Sequence, residues 1–407
     1  MLSQKTIEIV KATAPILQER GIEITKHFYN IMFTKYPELL HIFNQTNQKK
    51  GRQSEALAHA VYAVAANIEN LTAIIPVVKQ IGHKHRSLGV KAEHYPIVGT
   101  RLLQAIKEVL DAPQEVLDAW GEAYGVIAEA FIQIESEMYK EAEQQEGGWR
   151  EFRNFIVVKK VKESDVITSF YLEPQDGKEL STFNPGQYVT VEMDIPGNEY
   201  RHNRQYSLSD APGKPYYRIS VKREDTSLNH PAGIVSTYLH EKVQIGDILP
   251  LSAPAGDFTL DTAQEKPLVL ISGGVGITPM MSMLNTALER QPNRQVFFIH
   301  CAINGDVHAF REYVEGVTKA RNNVKAYICY SSPTPEDRSK KHYDREGLIE
   351  RGWLQTIIPS TQADFYFCGP IPFMRHVNEM LKTWGVAESN IHFEFFGPAA
   401  SLEPTEA

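Results

Sequence analysis

The sequence predicts a multidomain chain: an all-α domain, then an antiparallel β-barrel, then an α/β domain with a parallel sheet. Three observations predict it. Apolar residues recur at helical spacing up to about residue 146, and short strands between turn clusters run on to about residue 262. Beyond that point buried strands alternate with helices. At 407 residues the chain also exceeds the size at which a single core keeps growing. The divisions read as 1–146, 152–262 and 266–407.

In the helical part, Ile7, Val10, Ala14 and Leu17 share one face of an opening helix. Trp120, Tyr124, Ile127, Phe131, Ile134 and Met138, in steps of four and three, mark one face of a long closing helix. Prolines at 15, 37, 76, 96 and 113 divide the segment into several helices, with Pro15 expected near a helix start or at a kink. The acidic run Glu141–Glu146 before Gly147-Gly148 reads as a frayed helix end and a hinge.

From Trp149 the period changes. Phe155–Val158, Ser169–Leu172, Tyr188–Glu192 and Tyr217–Val221 are short strands, separated by turn clusters such as Pro185-Gly186 and Asp210–Gly213. Their spacing suggests a small antiparallel barrel. Leu268–Ile271, Val296–Ile299, Ala326–Ile328 and Phe365–Phe367 then alternate with helical stretches, the pattern of a parallel sheet.

Composition narrows the partners. Hydrophobic residues make up 42% and charged residues 23%, with a net charge of -8, so nothing electrostatic favours DNA, RNA or an anionic membrane. No stretch approaches the roughly 20 apolar residues of a membrane span, and the N-terminus leads into an amphipathic helix rather than a signal peptide. The three cysteines, Cys301, Cys329 and Cys368, are too widely spaced for a zinc or iron–sulfur pattern and read as buried reduced thiols. A cytoplasmic monomer is the expectation.

Four motifs carry the chemistry of the second half. In Ser272–Pro279 a strand meets a helix through Gly273, Gly274 and Gly276, letting the backbone approach a pyrophosphate at a helix N-terminus. Thr278 is placed there to cap the helix, with Pro279 in its first turn. Such a turn alone is also a plain structural feature. Arg204-Gln205-Tyr206-Ser207 adds a cation for phosphate, an aromatic for a ring system and a hydroxyl for its polar atoms. Gly233–Ser236 opens a helix suited to further phosphate contacts, and Cys368-Gly369-Pro370 ends a strand where an open α/β sheet places its ligand.

In that order the motifs resemble the ferredoxin–NADP reductase superfamily over residues 152–407. The resemblance implies FAD near Tyr188 and Tyr206, with Ser207 beside its reactive nitrogen, and NAD(P)H over Gly273, Gly274, Gly276 and Thr278. Glu394-Phe395-Phe396-Gly397-Pro398 looks like that superfamily's closing segment, with Phe396 covering the flavin; packed aromatics on a terminal strand are the plainer alternative.

In the first half, His85 precedes Ser87-Leu88-Gly89, where a helix is expected to end, and is a candidate metal ligand. His83, two positions away, falls on another helix face and is expected to be solvated. Taken by itself, Glu135 reads as a solvated helix-face carboxylate, since Glu137 and Glu141 lie nearby. Phe28-Tyr29, Phe43 after Pro37, Gln53 with Leu57, His85, Tyr95 and Glu135 together resemble a bacterial globin over residues 1–140. The joined architecture resembles the flavohaemoglobins.

That resemblance implies haem b held by His85, with Tyr95 and Glu135 relaying hydrogen bonds to it. Tyr29 would be the distal hydroxyl that stabilises dioxygen, and Gln53 and Leu57 would complete the distal pocket. Lys84 and Glu394 would pair at the haem–flavin junction; for Lys84, an ordinary surface position is the alternative. The implied activity is nitric oxide dioxygenation by electrons passed from NAD(P)H to FAD to haem, which detoxifies nitric oxide. Reduction of dioxygen, peroxide or nitric oxide, or a carrier or sensor kept ferrous by its own reductase, are the rivals. Asp306 leans toward NADH, and Arg311 makes that lean shallow.

Overall fold

Proline placement explains where most of the helices in the first third begin. The computed structural model describes residues 2–43, 48, 51–226 and 231–397. Among them, α1 (Gln4–Lys35), α2 (Arg52–Ala66), α3 (Ile75–Ser87), α4 (His94–Leu110) and α5 (Gln114–Gln144) precede the first strand. Pro37 opens a 3-10 turn to His41, Pro76 and Pro96 lie in the first turns of α3 and α4, and Pro113 is the N-cap of α5. Pro15 is different. It neither starts nor ends a helix, because α1 runs through it from a Ser3 cap whose side chain accepts from the Thr6 N–H.

The spacing of Val10, Leu17, Ile24, Phe28 and Met32 gives α1 one apolar face, which packs on Leu102 and Ile106 of α4 and Leu117 and Trp120 of α5. On α5 the acidic stretch stays helical to Gln144, and the two glycines after it are closely packed. A Cβ on Gly147 would lie 2.7 Å from the backbone at Leu180 and Ser181, and one on Gly148 would lie 2.1 Å from the Ala142 carbonyl. The glycines are there for close approach, so the expected frayed end and hinge is a packed corner.

The next strands are β1 (Phe152–Lys162), β2 (Ile167–Pro174), β3 (Tyr188–Met193), β4 (His202–Ser207), β5 (Tyr217–Lys222) and β6 (Ile248–Ser252). They form one antiparallel sheet in the order β4-β3-β6-β1-β2-β5. A bridge between Leu208 and Ile219 brings its two edges together, which curls the sheet into a barrel. Val235 and Leu239 of α6 (Ile234–Glu241) enter its core.

A second sheet contains β7 (Leu268–Gly273), β8 (Val296–Ala302), β9 (Val324–Tyr330), β10 (Arg345–Glu346), β11 (Asp364–Cys368) and β12 (Ile391–Glu394). All are parallel, in the order β10-β9-β8-β7-β11-β12. α7 (Ile277–Arg290) and α8 (Arg311–Ala320) cover one face, while α10 (Arg351–Ile357) and α11 (Ile371–Trp384) cover the other. The short α9 (Pro335–Lys340) lies between β9 and β10. Strand order reverses between β7 and β11, so their carboxyl ends open a crevice of the kind that takes a ligand. Ile167, Phe258 and Leu260 of the barrel segment share a core with Leu270 of this sheet and Leu284 of α7. No helix among the described residues is long and apolar enough to cross a membrane.

Candidate active site

The last turn of α3 faces α5, and there the helical half concentrates its buried polar groups. Nδ1 of His85 donates to Glu135 Oε1 at 2.7 Å and lies 3.1 Å from the Tyr95 hydroxyl. Tyr95 donates to the same Oε1 at 2.7 Å. Glu135 is only 3% exposed, whereas Glu137 and Glu141 on the same helix face solvent, so the solvated-face alternative is excluded. Burial, and after it the Glu135 charge, raises the Tyr95 phenol far above its ordinary range, so it stays a donor. With Nδ1 engaged, Nε2 is the nitrogen left to bind a metal.

Tyr29 lies among aromatic rings. Its ring stacks on Phe33 at 5.7 Å and meets Phe43 edge-on at 5.9 Å. Burial raises its phenol as well, with a hydrogen bond to Gln48 opposing the shift. Gln53 and Leu57 lie one turn apart on α2, and the Gln53 Oε1 is buried without a hydrogen-bond partner. A buried amide oxygen without a partner is a group that a bound polar ligand could engage.

Where α3 ends it meets the barrel. Lys84 Nζ donates to the Gly397 carbonyl at 2.9 Å and lies 3.8 Å from Glu394 Oε1, so it is not a surface lysine. Burial pushes Glu394 up to about 7, with Lys84 pulling the other way and Asp257 adding to the rise. His83 requires a correction. It is half-buried, its Nδ1 has no hydrogen-bond partner, and burial holds its imidazole below the ordinary value. Its helix face is indeed not that of His85, but the barrel side of the molecule covers it.

On the barrel, register sets Tyr188 of β3 opposite Ser207 of β4, and Thr190 opposite Gln205. The Tyr188 hydroxyl is buried and unpartnered, as suits a group that awaits a ligand atom. Arg204 and Tyr206 are half-buried on β4. Gly233 is the N-cap residue of α6, and the Ser236 hydroxyl donates to Gly233 O at 3.1 Å while accepting from Glu224 N at 3.1 Å. The backbone N–H groups of that helix end, rather than the serine hydroxyl, are what remain for phosphate.

In the crevice, a Cβ on Gly276 would lie 2.1 Å from the Cys368 carbonyl, so only glycine lets the β7 loop pass over the end of β11. Gly273 and Gly369 pack against Phe373, beside Pro370, and Gly274 adopts a φ of +54°. Thr278 is the second residue of α7 and donates to Val275 O at 3.0 Å; the N-cap is Gly276, not Thr278. The helix begins two residues earlier than a Thr278 cap would place it. The Cys368 thiol is fully buried and donates to Glu394 O at 3.3 Å. Phe395 joins the core, whereas Phe396 is 46% exposed and free to cover a ring; Pro398 lies outside the described residues.

Comparison with known proteins finds three families along the chain. Residues 26–131 match a family described as globin, 154–260 an oxidoreductase FAD-binding domain, and 270–379 an oxidoreductase NAD-binding domain. The chain is 67% identical over 403 residues to a flavohemoprotein of Bacillus thuringiensis subsp. konkukian, covering 99% of this chain and all of that one. The chain belongs to the flavohemoprotein family. A Bacillus subtilis flavohemoprotein is 54% identical and covers 99% of both chains. The crystal structure of a Malassezia yamatoensis flavohemoglobin with bound FAD and heme superposes with a TM-score of 0.84 at 26% identity, covering 97% of this chain and 100% of that one. The Flavohem-like FAD/NAD-binding domain of nitric oxide dioxygenase from Vibrio cholerae is 38% identical with a TM-score of 0.55, covering 60% of this chain and 99% of that one.

As a flavohemoprotein the chain uses haem, FAD and a nicotinamide nucleotide. The structure fits all three, with the outward nitrogen of His85, the orphaned Tyr188 hydroxyl and the glycine passage over β11. Several contacts at the flavohemoprotein's junction escaped the sequence reading. Gln205 Nε2 donates to Ser87 Oγ at 2.9 Å, the Arg86 guanidinium donates to Pro254 O, and His41 Nδ1 accepts from Arg201 N at 3.0 Å. The only hint was that Arg86 and Ser87 directly follow the candidate ligand.

Proposed function

We propose that this flavohemoprotein is a nitric oxide dioxygenase that converts nitric oxide and dioxygen to nitrate at the expense of NAD(P)H, thereby removing nitric oxide. On this reading residues 1–146 hold haem b, 152–262 the flavin and 266–407 the nicotinamide nucleotide. Two nitric oxide and two dioxygen molecules with one NAD(P)H give two nitrates, NAD(P)+ and a proton. When bound, the nucleotide supplies a hydride, FAD divides it into single electrons, and haem iron accepts them and binds dioxygen.

The observation that carries this reading is the closed triangle of His85, Glu135 and Tyr95. A buried carboxylate on Nδ1 would give the imidazole anionic character and make it a strongly donating ligand to haem iron, which favours oxygen chemistry over reversible carriage. Tyr95 fixes the carboxylate and cannot itself ionise near neutrality. Tyr29, also held protonated, donates toward negative charge on bound oxygen and slows its escape. Lys84 places a positive charge beside the Glu394 carboxyl where the helical half meets the closing segment, which favours electron arrival there.

Arg204, and the N–H groups of α6 and α7, suit the phosphates of the two nucleotides. Asp306 is exposed beyond β8, while Arg311 donates to His342 Nδ1 at 3.1 Å and lies 3.9 Å from Glu315. With the arginine so engaged, the acidic residue favours NADH over a 2′-phosphate. The reading is tested by supplying nitric oxide, air and NADH to the haem- and FAD-loaded protein. One nitrate per nitric oxide is expected. Peroxide or nitrous oxide as the main product would assign a reductase instead, and no turnover would leave a carrier.

A further inference from the structure

The helix turn that carries His85 is bolted to the barrel through its other side. Residues two apart on a helix point about 200° apart, so Ser87 faces away from the His85 imidazole. Ser87 is completely buried. Its hydroxyl donates to the Lys84 carbonyl at 2.9 Å and accepts from Gln205 Nε2 at 2.9 Å. The Tyr188 hydroxyl approaches the same oxygen without completing a hydrogen bond. Gln205 lies between Arg204 and Tyr206 on β4, within the flavin motif. One hydroxyl therefore joins the strand expected to hold the flavin to the turn that carries the haem ligand.

We infer that Ser87 is a positioning residue for electron transfer between the two cofactors, acting through the Gln205–Ser87 hydrogen bond to fix β4 against the last turn of α3. Its neighbours leave the turn little freedom of its own. Arg86, 6% exposed, donates to Pro254 O on the barrel side, and Tyr139 donates from α5 to Val90 O at 2.8 Å. The turn is held by α5 on one side and the barrel on the other, so Ser87 sets how β4 sits on it. An alanine would take the acceptor from the half-buried Gln205 amide, and β4 would shift to find another. The inference rests on the proposed electron path and adds to it a residue that touches neither cofactor's reacting atoms.

The test is anaerobic stopped-flow with NADH on the haem- and FAD-loaded wild type, Ser87→Ala and Ser87→Thr, following flavin and haem absorbance separately. The expected result is at least tenfold slower haem reduction in Ser87→Ala, an unchanged rate of flavin reduction, and recovery with Ser87→Thr. Hydrogen exchange at the β4 amides, Gln205 and Tyr206 among them, gives a second readout, expected to be faster in Ser87→Ala and restored in Ser87→Thr. If Ser87→Ala does not fold, Gln205→Ala removes the same bond from the other side and is expected to slow the same step. Wild-type haem reduction in either alanine variant overturns the assignment. Equal slowing of both steps, unrecovered by threonine, overturns it too, because a general structural defect would do that. Wild-type haem that stays ferric under NADH sinks both this inference and the electron path on which it rests.

Discussion

Replacing Glu135 by glutamine tests the proximal triangle while keeping its shape. The carboxylate is 3% exposed and accepts from His85 and Tyr95, each at 2.7 Å. Glutamine offers one acceptor oxygen of the same reach and no charge. A hydrogen bond to a charged partner is worth about 1.5–3 kcal/mol and a neutral one about 0.5–1.5, so the exchange costs the imidazole roughly 1–1.5 kcal/mol of anionic support. That loss falls mainly on the ferric state, which gains most from a donating ligand. For one electron, 59 mV corresponds to a tenfold change or about 1.4 kcal/mol, so the haem midpoint should rise by roughly 40–70 mV. Spectroelectrochemical titration of the haem- and FAD-loaded protein measures this directly. A midpoint within about 10 mV of the parent would show that Glu135 only anchors the helices and does not tune the ligand.

Three other outcomes follow from the geometry. Tyr29→Phe removes a donor to a polarised ligand, worth about 1.5–3 kcal/mol, so dioxygen should leave roughly 10- to 100-fold faster with haem and FAD retained; flash photolysis showing wild-type release would remove the role. Gly276→Ala drives a Cβ to 2.1 Å from Cys368 O, so flavin reduction by NADH should need far more NADH while the haem spectrum stays unchanged; an unaltered NADH dependence would show that the loop does not bear on the nucleotide. Burial pushes His300 down to about 3 and holds His308 well below its ordinary value. Both stay neutral when folded and gain protons only on unfolding, so each should cost the fold up to about 1.4 kcal/mol per pH unit as pH falls below 6.5. Glu394, raised to about 7, works in reverse, its contribution full below 4.5 and fading as pH rises through 7. Melting curves from pH 7 to 5 should therefore be less acid-sensitive in His300→Asn, and equal sensitivity would refute the assignment.

The helical half and both sheets were legible because their periods are local. The face of Val10, Leu17 and Ile24, the alternation in β2 and β5, and the apolar runs of β7 and β11 are each written in a few consecutive residues. What depends on one domain covering another was not legible. His83 was expected in solvent because nothing on α3 records that the barrel side packs there. The close contacts of Gly147 and Gly148 come from residues 179–181 and from the helix end, so composition alone suggested a hinge. Among Glu135, Glu137 and Glu141 only the first is buried, a choice made by the phase of α5 against α3 and α4. Ser87 and Gln205 lie 118 positions apart and meet only once the chain is folded.

The most direct test of the account is an absorbance spectrum of the haem-replete, FAD-loaded protein under anaerobic NADH. Loss of flavin absorbance followed by a ferric-to-ferrous shift of the Soret band is expected. Flavin bleaching with the haem left ferric, or with no Soret band in protein supplied with haem, would contradict an electron path ending at His85.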